Sequence, residues 1–231
     1  MITVETGASL RLTDIVLRQH GPSLSLYIPA GQTVALRSEP HTDATDLLDI
    51  VAGLRRPQSG QFAVDEAVID ELSGQALRRY ASGRGILSAR FPLKPSLSAA
   101  DNVLAGADDL TREQAVDLLA ETGVTRVDEA AGTLSGEQQW RVLLARALRT
   151  RPRMVLAEDP VHALGPRTAA AILDLLYDLQ AQAGFTLLLA VARLATASYC
   201  QRLVRLADGI VVEDELIGDD PLVRGRVDRF E

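Results

Sequence analysis

Apolar positions along this chain come in two periods. Leu10 to Leu17 and Leu24 to Ile28 read as strands around the turn Gln19-His20-Gly21-Pro22, and Thr33 to Leu36 is a short apolar strand. A helix follows through Leu47, Leu48, Ile50, Val51 and Leu54, punctuated by Gly53 and Pro57. Strand, loop and helix in that order form the P-loop arrangement. Gln61–Val64 and Ala67–Ile69 pair as a hairpin across Asp65-Glu66, Gly74–Ala81 reads as a short helix, and Gly85–Leu87 as a strand. Residues 101–122 hold two helices, and Val124 to Ala131 is a candidate for a third, with Gly106 and Gly123 marking the breaks. Arg153–Ala157 is a buried strand. Pro166 opens a helix whose Ala169, Ile172, Leu173, Leu176 and Leu179 share a face. Phe185–Ala190 is the next buried strand, and Leu203–Leu206 and Gly209–Val212 close the pattern as a hairpin.

Bulk properties narrow the class. The 231 residues, 47% hydrophobic, suit one large domain or a core with a helical insert. A net charge of −7 argues against a broad nucleic-acid footprint. Cys200 is the single cysteine, so no disulfide framework is expected and the chain suits a reducing compartment. No secretory signal is evident at residues 1–5. The longest apolar stretch, Phe185 to Ala192, is too short to span a bilayer, so a membrane role requires a separate partner. Lys94 is the only lysine.

The most informative stretch is Leu134-Ser135-Gly136-Glu137-Gln138, running on through Leu148. Ser135 is a natural helix N-cap and Gln138, three residues on, completes a capping box. Trp140, Leu143, Leu144, Ala147 and Leu148 then fall on one helical face, with Arg141 and Arg149 towards the other. A Ser-Gly pair at the positive end of such a helix is a place for an anion, above all a phosphate. The full pentapeptide resembles the signature motif of the ATP-binding subunits of ABC transporters. The resemblance implies that Ser135, Gly136, Glu137 and Gln138 close over the γ-phosphate of ATP held by a partner subunit.

Further landmarks of that family fall in register from about Leu10 to Val212. Between residues 69 and 103 the chain most resembles the macrolide-export, lipoprotein-release and cell-division ATPases. The P-loop pattern G-x-x-x-x-G-K-[ST] aligns with Ser38 and Asp43 at the glycines, Ala44 at the lysine and Thr45 at the hydroxyl. Glu39, Asp43 and Asp46 add negative charge where phosphate would sit, and like charges about 4 Å apart cost around 4 kcal/mol at an effective dielectric near 20. The glutamine that reaches magnesium becomes Ala89. The Asp-Glu pair of metal ligand and general base becomes Glu158-Asp159, in which Glu158 could reach a metal through water and Asp159 is a methylene short for base catalysis. The loop after it, His162-Ala163-Leu164-Gly165, carries Gly165 at its aspartate, and Ala192 takes the place of the histidine that contacts the γ-phosphate. His162 itself is assigned no role.

These departures share a direction. The lysine, glutamine, base and histidine positions of the family, here Ala44, Ala89, Asp159 and Ala192, all act on nucleotide bound by this chain, and the intact signature acts on nucleotide bound by another. The resemblance implies an α/β fold. It comprises an ABC-type P-loop core of mixed sheet flanked by helices, an antiparallel β subdomain near the N-terminus, and an inserted helical subdomain. The expected organisation is a single domain, residues 1–231, with 1–87 and 151–231 forming the core and 88–150 the helical insert. The expected role is a degenerate nucleotide-binding subunit, peripheral to the cytoplasmic side of a membrane. It would pair with a second, competent ATPase and a transmembrane permease, with ATP and Mg2+ at the partner-held site and at most a weak metal interaction through Thr45 and Glu158. Alternatives are a homodimeric ATPase with an unorthodox P-loop, a non-catalytic adaptor, and a soluble relative working on DNA or ribosomes. The last usually carries long inserts or fused twin domains, which this chain lacks.

Overall fold

The structure is a computed structural model that describes residues 7–39, 42–107, 109–158, 161 and 164–217. Its centre is a six-stranded sheet in the order β10-β9-β3-β8-β7-β6. These strands are β3 (Thr33–Ser38), β6 (Gly85–Ser88), β7 (Met154–Glu158), β8 (Thr186–Ala190), β9 (Arg202–Ala207) and β10 (Ile210–Leu216). All neighbours run parallel except the β9–β10 hairpin. Beside it lies an antiparallel sheet, β2-β1-β4-β5, built from β1 (Leu10–Val16), β2 (Ser23–Ile28), β4 (Ser59–Val64) and β5 (Ala67–Val68).

The two-residue period of a strand explains how one sheet serves two cores. Met154, Leu156, Leu188 and Ala190 face one side. There they meet Leu10, Leu12 and Ile28 of the β subdomain and Leu47, Ile50 and Val51 of α1 (Thr42–Val51). Val155, Ala157, Leu187 and Leu189 face the other and meet α5 (Gly136–Leu148) and α6 (Pro166–Ala183). Every residue of β8 is therefore buried, as parallel sheets covered on both faces require. Burying a Leu side chain on either face stabilises by roughly 1.5–3 kcal/mol.

Between β6 and β7 the chain makes the helical insert, α3 (Ala99–Leu104), α4 (Arg112–Glu121) and α5, after the short α2 (Gly74–Ser82). The capping box lies at α4, where Thr111 and Gln114 bond reciprocally; at α5 Ser135 accepts the Gln138 N–H and no return bond forms. The third helix expected over residues 124–131 is absent. Its backbone groups bond instead to the start of α3: Ala99 N–H to Glu129 O, Ala100 N–H to Val127 O, and Ala131 N–H to Leu97 O. Only a 3-10 turn, Ala131–Thr133, remains. A short helix the pattern did not suggest, α7 (Leu194–Ala197), follows β8.

Candidate functional site

The parallel strands bring their carboxyl ends to one edge, the place where open α/β sheets bind ligands. Ser88 pairs in register with Glu158, and Glu158 with Ala190. Leu36, near the end of β3, is opposite Ala190. Over this edge α1 begins at Thr42, so Asp43 and Ala44 lie in its first turn. The structure gathers Ser38, Asp43, Ala44, Thr45, Asp46, Ser88 and Glu158 at this edge.

What it does with them differs from an anion cradle. Ser38 is buried and its Oγ accepts the Ala44 N–H at 3.0 Å, which removes one of the free donors a phosphate would use. Asp43 is 1% exposed. Its Oδ2 accepts the Gly209 N–H at 3.0 Å, and its Oδ1 pairs with Arg18, whose Nη2 also reaches Thr42 Oγ1 at 2.9 Å. The negative charge expected to stand bare around the loop is therefore paired. Glu39 is bonded by Arg37, and Asp46 by Arg55 at 2.5 Å with Arg18 at 4.0 Å. The side-chain methyl of Ala44 is wholly buried in the core shared by the two sheets.

Glu158 is similarly engaged. Oε1 accepts from Thr45 Oγ1 at 3.2 Å; Oε2 accepts from Ser88 Oγ at 2.6 Å and from Arg90 Nε. Arg90 reaches onward to Asp49 with a bidentate pair of 3.0 and 2.7 Å. The hydrogen bonds to Asp49 and then to Glu158 outweigh burial and hold this guanidinium above its already high pKa. A metal ion ligated by Thr45 Oγ1 and Glu158 Oε1 would have to break the hydrogen bond between them, next to the Arg90 guanidinium on Oε2. Among the described residues no group of three or more His, Cys, Asp or Glu converges to hold a metal.

Ala89 is exposed in the turn after β6, and Ala192 is exposed after β8. Gly165 is the N-cap of α6 and supplies no side-chain bond. Asp159 and His162 lie outside the described residues. Lys94, on an exposed loop, bonds through its backbone to Asn102. Sequence reasoning missed Arg18 and Arg90. The signal available was the run of acids around the P-loop position, which demanded cations from elsewhere, and only arginine was there to supply them.

The signature end has the opposite character. Ser135 and Gly136 are exposed, and a Cβ added to Gly136 would meet nothing within 4 Å. Behind them the helix is fixed. Arg141 bonds Glu137 one turn back at 2.9 Å and the Thr122 carbonyl at 2.9 Å, so α5 is clamped to the end of α4. It packs so close that a Cβ on Gly123 would lie 2.7 Å from the Arg141 guanidinium.

A cassette with this doubly covered sheet, side β subdomain and helical insert is the ATPase fold of ABC systems, and comparison with known proteins agrees. The family model described as ABC transporter matches residues 22–162. The phosphonates import ATP-binding protein PhnC of Rhizobium johnstonii is 34% identical over 208 residues, covering 83% of this chain and 74% of that protein. The macrolide export ATP-binding/permease protein MacB of Burkholderia pseudomallei is 31% identical over 227 residues, covering 91% of this chain and 35% of MacB. A bacterial ABC transporter cassette, MJ0796, solved as a dimer, superposes with a TM-score of 0.79 at 24% identity, over 90% of this chain and 99% of that one. CbiO1 of Clostridium perfringens gives 0.82 at 21%, over 96% and 95%. The chain belongs to the ABC transporter family and carries its ATPase-type domain. Relatives of import and export systems both match, so the macrolide-export likeness is one among several.

Proposed function

We propose that this chain is a non-hydrolysing nucleotide-binding subunit that lends Ser135, Gly136 and Gln138 to an ATP site held by a second, competent subunit. The single observation behind this is the contrast between the two ends of the site. The P-loop side is filled by the chain's own groups, with the Ala44 N–H on Ser38, Asp43 on Gly209 and Arg18, and Glu158 on Arg90. The signature helix presents an open, rigidly held N-terminus. Mg-ATP does not fit the first arrangement without dismantling it. A terminal phosphate fits the second, with the Gly136 N–H and Ser135 hydroxyl stabilising developing charge.

No helix among the described residues is long and apolar enough to cross a membrane, so transport needs a permease. Its cytoplasmic helix would dock on this chain beside residues 89–103, where Phe91 is 41% exposed. Leu93 packs partly against the core, so Phe91 is the residue to vary. On this reading the chain works at the cytoplasmic face of the membrane.

The deciding experiment is Ser135→Arg in the assembled complex of this chain, its partner ATPase and the permease. Removing one preorganised donor costs on the order of 10²–10³ in rate, and the bulky side chain also blocks the pocket. ATP turnover should fall by at least that factor although this chain catalyses nothing. Unchanged turnover would leave the signature without a role and favour the adaptor reading. ATPase activity of this chain alone would favour a homodimer.

A further inference from the structure

A cavity of about 290 Å³ lies between the start of α6 and the segment that follows β8, lined on the helix side by Pro166, Ala169, Ala170 and Leu173. These positions have the i, i+3, i+4, i+7 spacing of one helical face, so the cavity runs along the first two turns of α6. Seven residues at 1.5 Å each make that face about 10 Å long. All four side chains are apolar, and Val161 and Ala195 continue the apolar wall. Positive potential gathers where α6 begins. Arg193 Nη2 donates to the Val161 carbonyl at 3.3 Å, and the same oxygen accepts the Leu164 N–H at 3.1 Å, so the guanidinium stands beside the turn that leads into α6. Arg193 has no ion pair among the described residues. The helix starts there with Gly165 as N-cap and no side-chain cap, so its first N–H groups and its macrodipole are left open. A separate feature joins them. Thr196 lines the same cavity, is 5% exposed, and its hydroxyl has no hydrogen-bond partner among the described residues. A buried hydroxyl left so is costly, and the cavity is where its partner would enter. No acidic side chain among the described residues lines the space.

These features select among ligands. Water or a free inorganic anion would serve Thr196 and Arg193 and leave the apolar wall unused. A neutral apolar molecule would cover the wall and leave the guanidinium and the open helix end without a counter-charge. A carboxylate with a slender apolar body satisfies both, through planar Arg–carboxylate pairing at one end and hydrophobic contact along the other. The volume is at the lower end of the range for small-molecule sites, which suits a ligand of this kind. We infer that the cavity binds a medium-chain fatty carboxylate, its headgroup between Arg193 and the start of α6 and its tail along Ala169, Ala170 and Leu173, with Thr196 supplying a hydrogen bond. None of these side chains is assigned to nucleotide above, so the site stands whether or not that reading holds.

Octanoate is the probe, titrated calorimetrically into the purified full chain, with octanol as the neutral comparison and inorganic sulfate as the one without a tail. We expect saturable octanoate binding, weakened roughly tenfold or more by Arg193→Gln and severalfold by Thr196→Val. Octanol should bind roughly tenfold more weakly than octanoate and should be indifferent to Arg193→Gln. Ala170→Phe fills the cavity from a half-buried position and should abolish octanoate binding, with thermal melting to show that each variant is folded. Absence of saturable octanoate binding to the unaltered chain would overturn the assignment. So would octanol binding as tightly as octanoate, or octanoate binding unmoved by Arg193→Gln. Sulfate binding as tightly as octanoate, with the same dependence on Arg193, would mean an adventitious ion only. A chain that binds no octanoate and dissociates from dimer to monomer on Ala170→Phe in sedimentation would give this face to a second copy, which also overturns it.

Discussion

Arg90 Nε donates to Glu158 Oε2 at the end of β7, on the same edge of the sheet as the start of α1. The guanidinium's other nitrogens are spent on Asp49, so one side chain ties the segment after β6 to both α1 and β7. A cation is thus built into the chain beside the one carboxylate of the described site assigned to a metal.

Removing that cation should loosen the fold. Charged hydrogen bonds contribute about 1.5–3 kcal/mol each when well buried. The Arg90 side chain is 43% exposed, however, so screening brings the expected loss for Arg90→Gln to about 1–2 kcal/mol. At roughly 2–4 °C per kcal/mol for a domain of this size, the melting temperature should drop by several degrees. The drop should shrink at high salt, as partly exposed ion pairs do. An unchanged melting temperature would show that Arg90 is a bystander.

Restoring P-loop residues one at a time should harm stability before it helps binding. Asp43→Gly deprives the Gly209 N–H of its acceptor and places glycine in the first turn of α1. Arg18, 45% exposed, recovers water and adds little. Loss of the buried bond and of helix propensity together predict about 2 kcal/mol of destabilisation in chemical denaturation.

Ala44→Lys meets a fully buried position, and overpacking there costs typically 1–3 kcal/mol. This variant should melt earlier and should not raise the ATPase rate of the complex much, because Ala89 and Ala192 stay as they are and Arg90 still holds Glu158. A large gain in turnover from this single change would mean the site is far closer to function than its packing implies.

Cys200 offers a check on the core between α6, α7 and the sheet. It is buried, and burial pushes its thiol up to about 12. The native protein should resist alkylation at pH 8, and the unfolded protein, with a thiol near 8.5, should react fully. The sign for stability follows. The folded thiol stays neutral while the unfolded one ionises, so stability is unaffected below about pH 8.5 and falls from there towards pH 12. Cys200→Ala should flatten that fall. Rapid labelling of the native state would contradict the packing described.

The strands and long helices were legible because their apolar periods are strong and because Pro166 and Gly184 punctuate α6 in the usual way. The segment 124–131 was misread because its few apolar residues suit a helix. Its fate was set by backbone bonds to residues 97–100, which no local pattern reveals. The site shows the same division. Local motifs singled out Ser38, Asp43, Ala44, Thr45 and Glu158 as candidates. The partners that neutralise them, Arg18 and Arg90, lie 25 positions before Asp43 and 68 positions before Glu158, so their roles depend on tertiary contacts. Acids expected to repel phosphate turned out to be occupied, a different physical reason for disfavouring a nucleotide at the same place.

The central claim is that this chain's own phosphate site is filled from within, and titration calorimetry of Mg-ATP into the isolated protein tests it most directly. The account predicts no saturable binding at nucleotide concentrations up to about 1 mM, where a binding free energy of only about −4 kcal/mol would already register. A micromolar dissociation constant corresponds to about −8 kcal/mol. It would require the Ser38, Arg18 and Arg90 contacts to open for nucleotide, and that result would contradict the account.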